Sequence, residues 1–352
     1  MLKEAKLDGT TVPHRIIYEP LGVIFGIFPW NFPYWQVLRF AAPTLMAGNV
    51  VVVKHAPNVP QCALQLQKLF NEAGFPEGVY TNMFLANDTA TQVIAHPVVK
   101  GVSLTGSEVA GAAVAAQAGK CIKPSVLELG GSDALIVLPD ADMELAVKTG
   151  VQSRFINSGQ ACNGAKRFIV LEENANAFTQ RLLEEVKQLK CVDPKIAQGI
   201  GPLARKDLVE KLEQQVNDTI QQGAKVLCGG KRMPGTGNYF EPTILMHIPK
   251  NSPAYTEELF GPVISLFVVK NEAEAITLAN DTRFGLDAGI FSADVAHAQK
   301  IAEQLEVAQV YINSLTRSMP ELPFGGTKSS GYGRELSEYG IRTFVNMKTI
   351  VY

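Results

Sequence analysis

Between Leu21 and Leu138, short β-branched runs alternate with longer stretches of helical spacing, and this alternation leaves few folds open to the chain. The runs GVIFGIF, NVVVVKH, VYTNMFL, KGVSLTG, SVLEL and DALIVL read as strands. Tyr34–Ala47, Val59–Ala73, Thr89–His96 and Glu108–Ala118 read as helices between them. Strands that alternate with helices build a parallel sheet through right-handed crossovers, and such sheets bind ligands at the carboxyl ends of their strands. After Gly131 the pattern resumes with helix Met143–Phe155, strand Arg167–Leu171 and helix Ala175–Leu189. An irregular Gly- and Pro-rich middle is expected through Pro242. Strand Val263–Val269, helix Glu272–Asn280, strand Ala288–Phe291, helix Val295–Leu305 and strand Gln309–Asn313 follow. We therefore expect an α/β chain with one parallel-sheet domain over 21–130 and a second α/β domain over 131–330. The ends, 1–20 and 331–352, contain the extended segments Val12–Glu19 and Arg342–Tyr352. Exposed edges of that kind commonly pair with another subunit, which predicts a homodimer or homotetramer.

Charge and cysteine usage narrow the partners. The 352 residues carry 32 basic and 34 acidic side chains, a net charge of -2 without long runs of one sign. That balance offers no electrostatic footprint for nucleic acid or an anionic membrane surface and points to a small molecule. No apolar run reaches the ~18–20 residues of a membrane span, and the opening MLKEAKLDGTTVPHR lacks the apolar core of a secretory signal. The five cysteines, Cys62, Cys121, Cys162, Cys191 and Cys228, are odd in number and include no CxxC pair. A disulfide framework and a zinc knuckle are both disfavoured, no metal is expected, and a reducing cytoplasm fits.

Cys162 lies in NSGQACNGAKR, a small, polar, Gly-containing loop between a helix and a strand. A thiol there can face a cleft and act as a nucleophile if the site favours the thiolate; the plain alternative is a small buried hydrophobe. Glu128, in LELGG, is an acid inside an apolar run. Desolvation would raise its pKa toward that of a general base, whereas pairing with a cation or capping a turn would leave it ordinary. Asn31, in PWNFP, is flanked by prolines and aromatics that fix its backbone, so its amide can be a stationary oxyanion donor or merely form a turn. Thr105-Gly106-Ser107-Glu108 follows a strand and opens a helix, an arrangement suited to phosphate and also to simple capping. Lys54 stands at the carboxyl end of NVVVVKH, as a ligand contact or a solvated surface lysine.

Together these motifs resemble the aldehyde dehydrogenase superfamily from about Tyr18 to the C-terminus. PWNFP, VVVK, LTGS, LELGG, GQxC, EELFGPV and PFGGxKxSGxGRE occur in the family's order. KHAPNV with LELGGSD further resembles bacterial succinate-semialdehyde dehydrogenases. The resemblance implies a nucleotide-binding domain, a catalytic domain and terminal oligomerisation strands. It also implies that Cys162 attacks an aldehyde carbonyl, that Asn31 and the Cys162 backbone N–H hold the oxyanion, and that Glu128 activates the water that hydrolyses a thioester. It assigns Lys54 to the adenosine ribose, Gly106 and Ser107 to the phosphates, Trp30 to the cofactor wall, and Glu258, with Phe260 beside it, to the nicotinamide ribose. Arg39 matches an arginine that binds the distal carboxylate of succinate semialdehyde in some members.

Where NAD-preferring members carry a Glu three residues beyond the lysine, this chain has Pro57, so NAD or NADP is expected as cofactor. A second substrate arginine would fall at Ile156, which carries no charge, and Arg154 and Arg317 read as surface residues. Family members usually have helices ahead of this chain's first residue, covering the cofactor domain, so exposed apolar surface is expected there. Other aliphatic or hydroxylated aldehydes, and a catalytically silent nucleotide-binding relative, stand as alternatives. Glu128 argues against acyl transfer to coenzyme A, which does not need a water-activating base.

Overall fold

The computed structural model describes residues 2, 4–196, 199–235 and 237–352, so Met1 and Lys3 of the expected N-terminal segment lie outside the described residues. The chain divides into two compact units. One comprises residues 1–129, 318–326 and 331–352; the other comprises 130–317 and 327–330. The chain thus returns to the first unit after Arg317, and the last motif, PFGGxKxSGxGRE, is shared out between the two.

The first unit is built on a six-stranded sheet. Its order is Gly331–Tyr332, Ser125–Glu128, Val99–Thr105, Val23–Phe28, Val50–His55 and Tyr80–Asn82, parallel throughout except at Gly331–Tyr332. Successive strand residues point to opposite faces, so Ile24 and Val126 join one buried cluster while Phe25 and Leu127 join the other. Both faces are covered by helices, which explains why the strands read as nearly unbroken apolar runs. Helix Glu108–Lys120 lies close against the chain at Gly111, where a Cβ would come within 2.6 Å of the Leu129 side chain. Leu64, Leu69, Phe84, Val109 and Ile122 of this unit are exposed.

The second unit holds a seven-stranded sheet. Its order is Gln309–Ile312, Asp287–Phe291, Ala134–Val137, Arg167–Leu171, Val263–Val269, Thr243–Met246 and Lys225–Cys228, with only the last strand antiparallel to its neighbour. Alternate residues again divide between two cores, Leu135 and Val137 on one side, Ala134 and Ile136 on the other.

The stretch expected to be irregular contains helix Lys206–Gln221 and the edge strand Lys225–Cys228, with strand Thr243–Met246 just beyond it. Val209, Leu212 and Val216 form the buried stripe of that helix at i, i+3 and i+7, packed with Phe240, Leu245 and Val263. The terminal segments are extended, as expected. His14–Pro20 and Val345–Val351 pair with each other as a two-stranded antiparallel sheet, His14 opposite Val351. Among the described residues, no helix is long and apolar enough to cross a membrane.

Candidate active site

In the first unit, Glu128 ends its strand between Thr105 and Gly331 and is 1% exposed. Neither carboxylate oxygen accepts a hydrogen bond of normal geometry, and the Arg39 guanidinium stands 3.7 Å away. Burial pushes the carboxyl up to about 8, Arg39 pulls it back, and Glu335 adds to the rise. A carboxyl poised there takes up a proton near neutral pH far more readily than a solvated one. The plain alternative, pairing with a cation, is also met, by the buried Arg39 at 3.7 Å.

Arg39 sits differently from the expected substrate contact. It comes from the buried face of helix Trp35–Met46 and donates through Nε to Glu335. Its guanidinium lies 4.4 Å from the Phe324 ring centre, and Ser103 donates to the other Glu335 oxygen at 3.2 Å. The side chain is 3% exposed. Its charge is engaged by two carboxylates of its own unit, which leaves it poorly suited to grip an incoming carboxylate.

Asn31 is half-buried just before that helix, and its Oδ1 accepts from Gln36 Nε2 at 3.1 Å. Trp30 is half-buried beside it. Lys54 is 4% exposed at the end of its strand, and its ammonium has neither a hydrogen bond nor an ion pair among the described residues. Burial lowers its pKa. A cation whose stem is buried, with no ion pair of its own among the described residues, at the carboxyl end of a parallel strand suits a ligand hydroxyl or phosphate, so these residues fit a dinucleotide. Pro57, three residues on, is exposed in a turn and brings no negative charge.

The LTGS turn is only partly available. The Gly106 amide donates to the Glu128 carbonyl at 2.9 Å, so that N–H is taken up by the sheet. Ser107 is exposed at the N-cap of helix Glu108–Lys120, and its hydroxyl accepts from the Ala110 amide at 3.3 Å. The capping role is therefore real, and a phosphate contact by Ser107 would share that hydroxyl.

In the second unit, Cys162 is half-buried after the turn Ile156–Gly159. Asn157, Ser158 and Gly159 take φ of 49°, 55° and 79° in succession, a left-handed run costing roughly 1–2 kcal/mol for each non-glycine residue. The turn is held from beneath by two cations. Arg154, expected on the surface, is 0% exposed; it donates to the Gly164 carbonyl at 3.3 Å, to the Gly261 carbonyl at 2.7 Å and to the Gly159 carbonyl. Burial brings Arg154 down to about 10, so it stays charged at neutral pH. Lys166, 2% exposed, donates to the Ala161 carbonyl at 2.8 Å and to that of Cys162, and pairs with Glu258 at 3.3 Å. Glu258 also accepts from the Gly131 amide at 3.2 Å, and its side chain is 19% exposed. Phe260 is half-buried two residues on. Sequence reasoning missed Lys166 and read Arg154 as a surface residue; the AKR after the cysteine, which holds Lys166 and Arg167, was the available signal for Lys166 only.

Among the described residues, no group of three or more His, Cys, Asp or Glu is placed to hold a metal ion. All five cysteines are free thiols.

Residues 3–350 match the model of the aldehyde dehydrogenase family. A probable succinate-semialdehyde dehydrogenase [NADP(+)] of Synechocystis sp. is 49% identical over 336 residues, 95% of this chain and 74% of that protein. The succinate semialdehyde dehydrogenase [NAD(P)+] Sad of Escherichia coli is 48% identical over 349 residues, 98% of this chain and 76% of that protein. The crystal structure of succinic semialdehyde dehydrogenase from Streptococcus pyogenes in complex with NADP+ superposes with a TM-score of 0.94 at 41% identity, covering 99% of this chain and 77% of that one. With the α/β architecture, the gripped Cys162 turn and a match over nearly its whole length, the chain belongs to the aldehyde dehydrogenase family.

Proposed function

We propose that the protein oxidises succinate semialdehyde to succinate with NADP, and also accepts NAD, through a covalent Cys162 intermediate. The observation that carries this reading is Glu128, a fully buried carboxyl pushed up to about 8, able to serve as a base near neutral pH. The names of the similar proteins support the substrate and cofactor.

The chemistry divides among the residues already placed. Cys162 Sγ, as thiolate, bonds to the aldehyde carbon, and the Asn31 amide with the Cys162 backbone N–H stabilises the oxyanion that forms. Bound NADP would supply the hydride acceptor for oxidation of the resulting thiohemiacetal. The product is a thioester on Cys162. Glu128 takes a proton from water as the water oxygen attacks the thioester carbon; collapse releases the acid and the Cys162 thiolate. Lys54 and Ser107 would hold the adenosine end of the cofactor, Trp30 would wall it, and Glu258 with Phe260 would hold the nicotinamide ribose. Arg39 takes the part of a keeper of Glu128: with two internal carboxylates on its guanidinium, it tunes the base instead of gripping substrate. The exposed outer residues of the C-terminal strand would join copies as a dimer or tetramer, and a reducing cytoplasm would keep Cys162 as a thiol.

A panel of aldehydes assayed with NADP and NAD separately tests the proposal. We expect succinate semialdehyde to exceed a neutral aldehyde of equal length by about tenfold or more in kcat/KM. Preference for the neutral or a hydroxylated aldehyde would overturn the substrate assignment, and nucleotide binding without turnover would mark a silent relative.

A further inference from the structure

We infer that Lys166 is a positioning residue that couples the cofactor-ribose carboxylate Glu258 to the nucleophile turn. The inference rests on the roles proposed above for Cys162 and Glu258.

The geometry is a tripod. An ammonium has three N–H donors; Lys166 donates to the carbonyls of Ala161 and Cys162 and forms an ion pair with the Glu258 carboxylate at 3.3 Å. The group is 2% exposed, so water cannot substitute for a lost acceptor. Arg154 adds a parallel link, joining the carbonyls of Gly159 and Gly164, on either side of Cys162, to the carbonyl of Gly261. Four carbonyls of residues 159–164 are thus fastened by two cations to the Glu258–Gly261 segment. The fit is close: a Cβ on Gly159 would overlap the Gly261 carbonyl.

Glu258 is the one member of this set open to a ligand, through its 19% exposed side chain. Any partner that draws on its carboxylate draws on the charge facing Lys166. Lys166 then holds the Ala161 and Cys162 carbonyls more tightly or less, and the Cys162 backbone moves with them. The left-handed Asn157–Gly159 run is a strained segment whose position depends on such external contacts. Burial pushes the carboxyl of Asp133 up to about 7, while Lys166 pulls it down.

The test reads the thiol without aldehyde. Cys162 alkylation by iodoacetamide is followed by peptide mass, with and without saturating NADP, whose binding is confirmed by calorimetry. We expect NADP to change the alkylation rate of the parent about fivefold or more. In Lys166→Met the response should vanish while NADP still binds, and Lys166→Arg, which keeps a charged donor, should restore part of it. Glu258→Gln leaves the Lys166 contacts to both carbonyls in place and should lose the response as well, so it carries the test if Lys166→Met does not fold. An unresponsive parent, or a full response in either Lys166→Met or Glu258→Gln, would overturn the coupling. Aldehyde oxidation that persists in Cys162→Ala would instead overturn the functional reading beneath it.

Discussion

Replacing Glu128 with Gln keeps the shape of the side chain and removes its titration. In the folded protein Glu128 stands at about 8 against an ordinary 4.5. At ~1.4 kcal/mol per tenfold in proton affinity, ionising it in place costs roughly 5 kcal/mol more than in the unfolded chain. A raised acid contributes stability that is fully present below its unfolded value and is lost as pH climbs through its folded one. The parent should therefore lose stability between about pH 4.5 and 8 relative to Glu128→Gln, and thermal melting across that window reads the difference. Catalysis moves the other way. At pH 7 about a tenth of Glu128 is ionised, so thioester hydrolysis in the parent should rise about tenfold by pH 8–9 and then level. Stopped-flow absorbance separates a burst of reduced cofactor from the linear phase that follows. Glu128→Gln should keep the burst, slow the linear phase by about 10²–10⁴ and flatten its pH dependence. A linear phase with the parent's rate and pH limb would refute Glu128 as the base.

Arg39→Met should move the pH limb of hydrolysis upward, because the charge that pulls Glu128 down is gone, and should lower stability by ~3–5 kcal/mol through the stranded Glu335. Its relative preference for succinate semialdehyde over a neutral aldehyde should stay unchanged; loss of that preference would restore Arg39 as a substrate ligand. Lys54→Met should raise the KM for NADP about tenfold or more, with kcat little altered and the melting temperature held or raised, since burial already disfavours the Lys54 charge. Equal KM values in parent and variant would remove Lys54 from the cofactor site.

The sheets were legible because parallel strands covered on both faces must be apolar along their length, as Val50–His55 and Val263–Val269 are. Helix Lys206–Gln221 was hidden by the Gly- and Pro-rich segments after it, although its Val209, Leu212 and Val216 stripe is plain once read alone. Terminal strand pairing could not be seen, since His14 and Val351 meet across nearly the whole chain. The motif residues Cys162, Glu128 and Asn31 were legible through local composition and family order. Their supports were not. Glu335 engages Arg39 across 296 positions, and charge alone cannot tell a buried Arg154 or Lys166 from a solvated one. A cation's burial is decided by the carbonyls that gather around it, and those come from turns whose shape the sequence does not spell out.

The covalent intermediate can be caught directly. Glu128→Gln is mixed with succinate semialdehyde and NADP, quenched in acid and digested, and the peptide carrying Cys162 is weighed. We expect that peptide to gain the mass of a succinyl thioester in step with the burst of reduced cofactor, and Cys162→Ala to give neither adduct nor reduced cofactor. Reduced cofactor formed at the parent's rate by Cys162→Ala, or a burst that leaves the Cys162 peptide unmodified, would contradict the central role of the thiol.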